Sequence, residues 1–310
     1  MVQLPTSRHF TLHKLSEGIY AAIHAPGGWA QSNAGIIDIG DRTLVVDTFL
    51  SPRATRDLLA AAQALTGRPV VVMNSHYHND HIWGNQAVPM DSDIVSTFKT
   101  RDLIAARDEE DQWYRDHAAQ RLSATQAQLE RASGDSEKAH LQYVVTYYEA
   151  IVDTLPMLPA RVPNIAFQDV LEFTGSKRSA RFIALSGHTA SDAILHLPDD
   201  HILFLGDLLF INVHPYLADG HPDELLRTAA FIKDLQADVL VPGHGPVGRV
   251  DDMEVMLEYI HEMRELVKIS IRDGMRREDI VKLPIPTRYL YWIFPSFYEE
   301  NIRFLYQLYS

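Results

Sequence analysis

Four short segments of the chain carry side chains suited to holding a metal ion. The densest is His76-Tyr77-His78-Asn79-Asp80-His81, with three imidazoles and a carboxylate. It follows the apolar run Val70-Val71-Val72-Met73, so it sits where a buried strand ends, the usual place for ligands in α/β sheets. His76 and His78 can point the same way from an extended turn, with Asp80 and His81 offset toward an adjacent position. Neutral imidazole together with carboxylate suits zinc, iron or manganese. The chain has 15 histidines in 310 residues, too few to make such a cluster by chance. Three further segments repeat one logic: His188 in Ser186-Gly187-His188-Thr189, Asp207 in Gly206-Asp207, and His244 in Pro242-Gly243-His244-Gly245. Each follows an apolar run expected as a strand (181–185, 201–205 and 239–241), and glycine lets the backbone turn there. Singly they are weak signals; jointly, four strand ends terminate in ligand-type residues.

The elements that must position these residues read as two strand-rich blocks separated by a helical stretch. Ala34–Ile39 and Thr43–Asp47 form a hairpin across Gly40-Asp41. Pro52–Leu65 has helical spacing, and Val70–Met73 and Asp93–Ser96 read as strands. Residues 101–131 and 136–155 read as two helices broken at Gly134-Asp135 and closed by Pro156 and Pro159. Strands return at 170–173, 181–185, 193–197, 201–205 and 239–241, with a helix at 225–235. Asp251–Arg272 is the longest helix of the last sixty residues, and the segment Tyr289–Tyr309 is unusually aromatic.

Composition narrows the function. Acidic residues number 41 and basic residues 28, for a net charge of −13. Without a lysine–arginine cluster, this is a poor surface for a phosphate backbone, so nucleic acid is not expected as a partner. Cysteine is absent, which excludes disulfides, thiolate nucleophiles and cysteine-ligated zinc. No apolar stretch reaches the ~18 residues of a membrane helix, and the N-terminus lacks a signal-peptide pattern. A cytoplasmic protein with no membrane partner is expected.

The set H-x-H-x-D-H at 76–81, G-H-T at 188, G-D at 207 and G-H-G at 244 resembles the metallo-β-lactamase-fold superfamily. Asp47, closing the strand Leu44-Val45-Val46, matches that superfamily's early, structural aspartate. The resemblance covers about residues 1–250. It implies an α/β fold: an αββα sandwich with metals at one edge, here with a helical insertion at about 101–160 and a helical, aromatic-rich extension at 251–310. It further implies that His76, His78 and His188 hold one divalent ion and Asp80, His81 and His244 a second, with Asp207 bridging. Zinc is the first expectation, with iron or manganese as alternatives. A hydroxide activated by the two ions would attack a bound carbonyl or phosphoryl centre, with Asp80 also orienting the water.

Within the superfamily, His78 stands where flavodi-iron oxygen reductases have glutamate. The zinc β-lactamases with a cysteine ligand are excluded, and Asp207 leans away from the cysteine-free β-lactamase group. The stretch after Asp207 lacks the basic, glycine-rich segment of glyoxalase II, and the large extra domain or RNA-binding arm of the nucleases is not seen. The segment His214-Pro215-Tyr216 resembles a broad group of bacterial hydrolases of this fold, with His214 or Tyr216 as candidate catalytic residues beside the pocket. The expectation is a metallo-hydrolase cleaving an ester, thioester, lactone or amide in a small molecule. A mononuclear iron persulfide dioxygenase and a phosphodiesterase are the alternatives. A homodimer is one use for the insertion or the aromatic tail; a solvated face and ordinary core, respectively, are the plainer ones.

Overall fold

The computed structural model describes residues 4–310. Its first block builds a seven-stranded sheet in chain order: β1 (Phe10–Ser16), β2 (Ile19–His24), β3 (Ala34–Asp38), β4 (Thr43–Val46), β5 (Val70–Met73), β6 (Asp93–Thr97) and β7 (Ile165–Phe167). β1 to β4 pair antiparallel, and the Gly40-Asp41 hairpin joins β3 to β4 as expected; β4 to β7 pair parallel. Between β4 and β5 runs α1 (Pro52–Thr66). The Ser51 side chain caps its first turn, Pro52 starts it, and Gly67 ends it in the left-handed conformation. α2 (Asn79–Ile82) follows β5.

The insertion comprises α3 (Phe98–Ala105), α4 (Asp108–Arg131) and α5 (Asp135–Thr154). The helix expected at 101–131 is therefore two. It breaks at Ala106-Arg107, where neither glycine nor proline signals an end. The break lets the buried Arg107 side chain donate to the Tyr77 carbonyl at 2.8 Å, tying the insertion to the histidine-rich loop.

The second block forms a five-stranded sheet in the order β12-β11-β10-β9-β8. Its strands are β8 (Val170–Thr174), β9 (Ser179–Leu185), β10 (Asp192–Leu197), β11 (Ile202–Phe210) and β12 (Val239–His244). β8 to β11 pair antiparallel and β12 joins β11 in parallel, through the crossover helix α6 (Pro222–Asp234). The chain ends with α7 (Val250–Arg272), α8 (Arg277–Ile280) and α9 (Pro295–Tyr309).

Strand alternation dictates the layers. Ile37, Leu44, Val46, Val71 and Met73 from the first sheet meet Phe182, Leu195, Leu197, Phe204 and Val241 from the second in one buried cluster between the sheets. The opposite face of the first sheet, with Ile36, Val45, Val72 and Ile94, packs on Ala54, Leu58 and Ala61 of α1. The opposite face of the second sheet, with Ile194, Leu203 and Leu240, packs on Met256, Ile260 and Met263 of α7 and Ile302 and Leu305 of α9. The result is the αββα sandwich. The insertion has a smaller cluster of its own, joining Leu50, Ile82 and Trp83 to Ala118, Ala150 and Ile151.

Candidate metal centre

Both sheets deliver ligand-type side chains to the same edge. Beyond β5 the chain bends through Ser75, His76 and Tyr77. It then enters α2 with His78 at its N-cap (φ −65°, ψ 149°), so Asp80 and His81 project from a helical turn, offset from His76 and His78 as expected. His188 lies in the loop between β9 and β10. Asp207 stands inside β11, and His244 is the last residue of β12. The expected strands 201–205 and 239–241 are thus longer than the sequence suggested. β11 continues because Gly206, at φ +51°, creates a register shift opposite Pro242. A side chain there would strike Ser75, with its Cβ 2.7 Å from Ser75 Oγ. Gly243 is equally constrained: a Cβ would come within 1.9 Å of Asp207 Oδ1.

Seven side chains converge in two groups. His76, His78, His188 and Asp207 form one, and Asp80, His81 and His244 the other; within each group the ligand atoms lie within 4.8 Å of one another. Asp207 reaches both, with Oδ2 3.4 Å from His188 Nε2 and from His244 Nε2, and Oδ1 3.1 Å from His81 Nε2. Asp80 Oδ2 is 3.3 Å from His244 Nε2.

The outer nitrogens of four histidines are held by the protein. His76 Nδ1 lies 3.0 Å from Ser75 Oγ, and His81 Nδ1 lies 2.8 Å from Asp47 Oδ2. His78 Nε2 lies 3.0 Å from Asp219 Oδ2, and His188 Nδ1 lies 3.1 Å from the Tyr216 carbonyl. A ring whose outer N–H donates to an acceptor turns a lone pair inward. Accordingly His188 Nε2 and His78 Nδ1 face each other at 3.0 Å. His76 Nε2 is buried with no hydrogen-bond partner among the described residues, and His81 Nε2 and Asp207 Oδ1, although 3.1 Å apart, are not aligned to bond each other. Buried polar atoms left unpaired in this way are costly, and a cation between them removes the cost. The donor set therefore fits divalent metal ions of the zinc, iron or manganese kind.

The charges agree. Burial pushes the His76 imidazole well below its usual range and brings His188 down to about 3, which keeps both neutral and ready to ligate. Burial also opposes a charge on His81 and His244. The carboxylates outweigh it: Asp207, Asp80 and Asp47 raise His81, and Asp207 with Asp80 brings His244 up to about 9. Asp80, despite its own burial, is held at about 2 by His81 and His244. Without a cation, the two histidines therefore carry the compensating charge as protons.

Other residues fix this frame. Asp47 accepts from the Ser75 amide and hydroxyl, both at 2.7 Å, besides facing His81. Asp192 accepts from the backbone amide of His188 at 3.0 Å. Asn33 grips the His244 loop, its amide nitrogen donating to the carbonyls of Pro242 and Gly245 at 2.9 and 2.8 Å. Sequence reasoning missed Asn33, Asp192 and Asp219, which stand outside the histidine-rich and strand-end motifs.

A cavity of about 390 Å³ opens above the two groups. Tyr216 lines it, and so do Tyr143 and Tyr147 of the insertion and Phe294 and Phe297 of the tail. The insertion and tail are thus both pocket wall, beyond the plainer solvated-face and core readings. His214, expected beside the pocket, is instead fully buried in the C-terminal core. Its Nδ1 lies 2.9 Å from the Tyr259 hydroxyl, and Trp292 and Tyr298 pack around it. The proline turn after it sends Tyr216, not His214, toward the cavity. His214 has no access to a substrate there.

Comparison with known proteins agrees with this architecture. A curated relative from Caenorhabditis elegans, a beta-lactamase-like protein 2 homolog, is 24% identical over 278 residues, covering 86% of this chain and 76% of the relative. Among solved structures, a metallo-beta-lactamase from Pontibacter korlensis superposes with a TM-score of 0.58 at 19% identity, covering 81% of this chain and 99% of that one. The DIM-1 metallo-beta-lactamase exposed to ceftazidime superposes with a TM-score of 0.56 at 16% identity, covering 82% and 97%. These likenesses show the fold. The sequence model of the metallo-beta-lactamase superfamily matches residues 27–244, a span holding all seven clustered side chains, and the chain belongs to that superfamily.

Proposed function

We propose that the protein is a hydrolase with a dinuclear divalent-metal centre, zinc by preference, that cleaves an ester, thioester, lactone or amide bond in a small molecule. The observation that carries this reading is the division of the ligand-type residues into two adjacent groups that share Asp207. A mononuclear site would leave Asp80, His81 and His244 without a task.

Bound ions would supply Lewis acidity and a water of lowered proton affinity. The chain's own residues do the rest. His76, His78 and His188 would hold one ion and Asp80, His81 and His244 the other, with Asp207 between them. Asp80 lines the cavity and is held ionised, so it can accept a proton from the attacking water or orient it. Asp47, Ser75, Asp219 and the Tyr216 carbonyl fix the tautomers of the histidines. The aromatic walls limit bulk water around the scissile bond. Tyr216 borders the cavity beside His78, with ring centroids 6.2 Å apart, where its hydroxyl can meet substrate.

The test is a panel of ester, thioester, lactone, β-lactam and phosphodiester substrates, assayed before and after chelation. Chelator-sensitive turnover of an acyl substrate, lost in Asp207→Ala, is expected. Oxygen uptake with a persulfide and no hydrolysis would replace this reading with the iron dioxygenase one; phosphodiester turnover alone would replace it with the phosphodiesterase.

A further inference from the structure

The cavity walls carry information about the substrate that the metal ligands do not. A continuous run of aromatic rings links the two ligand groups. His244 contacts Phe294 (centroids 6.0 Å apart), Phe294 contacts Phe297 (5.1 Å), Phe297 contacts Tyr216 (5.2 Å), and Tyr216 contacts His78 (6.2 Å). Tyr143 of α5 joins the arc at Phe294, edge to face at 4.9 Å. A molecule lying across both groups must lie against this arc.

Two further observations bear on what that molecule is. First, no lysine or arginine lines the cavity among the described residues, whereas Glu110 and Asp219 do, beside the ligands Asp80 and Asp207. His140, also on the wall, is pushed below its usual range by burial and stays neutral. An anionic group could be met at the metal centre itself; one carried farther out would meet the Asp219 and Glu110 carboxylates on the wall, with the nearest cation, Arg107, behind it and already paired to Glu110 at 2.7 Å. Secondly, Phe294 is held at φ +63°, ψ +56°, a left-handed conformation costly for a bulky residue and more so before Pro295. The chain imposes it by pairing Ile293 with the segment leaving β11: Ile293 N donates to Asn212 O at 3.1 Å, and His214 N donates to Ile293 O at 2.9 Å. Strain of this kind persists where the surroundings over-determine it, and here it directs a ring into the cavity.

From these we infer that the site selects uncharged acyl substrates bearing an aromatic or bulky apolar group next to the scissile carbonyl, with Phe294, Phe297, Tyr216 and Tyr143 as the specificity-determining wall. The inference rests on the proposed hydrolase reading for its scissile bond, but not for its binding preference.

The test separates the two. Acetohydroxamic, phenylacetohydroxamic and (4-carboxyphenyl)acetohydroxamic acids share one metal-seeking head and differ only in what lies against the wall. Their affinities for the metal-loaded protein, measured calorimetrically, need no turnover. Burial of one phenyl ring predicts phenylacetohydroxamate binding about 10- to 100-fold tighter than acetohydroxamate. The added carboxylate should remove at least about tenfold of that gain. Phe297→Ala and Phe294→Gly should each narrow the phenylacetyl-to-acetyl ratio to within about threefold; glycine is at home at the Phe294 backbone angles, so that variant retains the fold. Equal affinity for the first two probes in the wild type overturns the inference. So does undiminished binding of the carboxylated probe, or an unchanged ratio in both variants. S-ethyl thioesters of the same three acyl groups report the reaction separately. No hydrolysis with the binding preference intact would sink the hydrolase reading and leave the substrate class standing; hydrolysis without preference would do the reverse.

Discussion

Replacing Asp47 with asparagine tests how the protein controls its ligand tautomers. Asp47 is buried at φ +61°, an angle asparagine also tolerates, so the backbone is not the perturbation. The carboxylate accepts from three donors: the Ser75 amide on Oδ1 (2.7 Å), and the Ser75 hydroxyl (2.7 Å) and His81 Nδ1 (2.8 Å) on Oδ2. An amide cannot serve all three. If its nitrogen faces His81, the imidazole must accept at Nδ1, and its proton moves to Nε2, the atom aimed at the metal. If its nitrogen faces the Ser75 amide, two donors oppose each other in a buried place. The first arrangement disables His81 as a ligand; the second leaves a buried donor unpaired. Loss of such an outer partner costs about 10- to 100-fold in metal affinity, or about 1.4 to 2.7 kcal/mol. The metal-free protein should also lose about 1.5–3 kcal/mol of stability, the worth of a charge-assisted buried hydrogen bond. The assay is competition against a chromophoric chelator, fitted to two sites, with circular dichroism to check the fold. The loss should fall chiefly on the site that would include His81. Wild-type affinity at both sites in a folded Asp47→Asn protein would refute the reasoning.

Further expectations follow from the same geometry. Metal binding must displace the protons that the carboxylates place on His244, held up at about 9, and on His81, raised above its usual range. Both are protonated at neutral pH in the metal-free protein, so log affinity should rise with pH between about 6 and 8 at a slope of about 1–2 per unit, read by chelator competition; a flat profile would contradict it. Gly243→Ala drives a Cβ to 1.9 Å from Asp207 Oδ1 and 2.8 Å from the Gly206 carbonyl carbon. It should lower both metal content and stability, the latter by about 1–3 kcal/mol, measured by elemental analysis and denaturant titration. Chelation of the loaded protein should lower its melting temperature, since metal at 100 times its dissociation constant adds about 2.7 kcal/mol, and zinc added back should restore it. His214→Phe should alter stability but not kcat for any substrate the enzyme turns over, because His214 lies in the C-terminal core; a selective loss of kcat in a folded, metal-loaded variant would return it to the mechanism.

The ligand-type residues were legible because each combines an uncommon residue type with a strand-end glycine or a dense local motif. The layer order came with the resemblance to the superfamily; the apolar runs themselves showed only two strand-rich blocks around a helical stretch. What escaped notice has physical reasons. β1, β2 and β7 are short or mixed in polarity, as in Phe10–Ser16, whose burial alternates only in part. The break at Arg107 depends on a tertiary contact with Tyr77, which no local signal encodes. Asp219 falls on the turn just after the two candidates His214 and Tyr216, with nothing local to mark it, and of those two the His214 ring serves an aromatic core built from Tyr259, Trp292 and Tyr298. The roles of Tyr143 and Tyr147 depend on where the insertion folds back. Periodicity within α5 places them on one helix face but not over the centre.

The account rests on two ions sharing Asp207. The most direct measurement is metal content per chain in protein purified without added metal, alongside the Asp207→Ala variant. About two divalent ions per wild-type chain, chiefly zinc, falling to one or none in the variant, is the predicted result. A single iron per chain, or two tightly held ions undisturbed by the loss of Asp207, would contradict it.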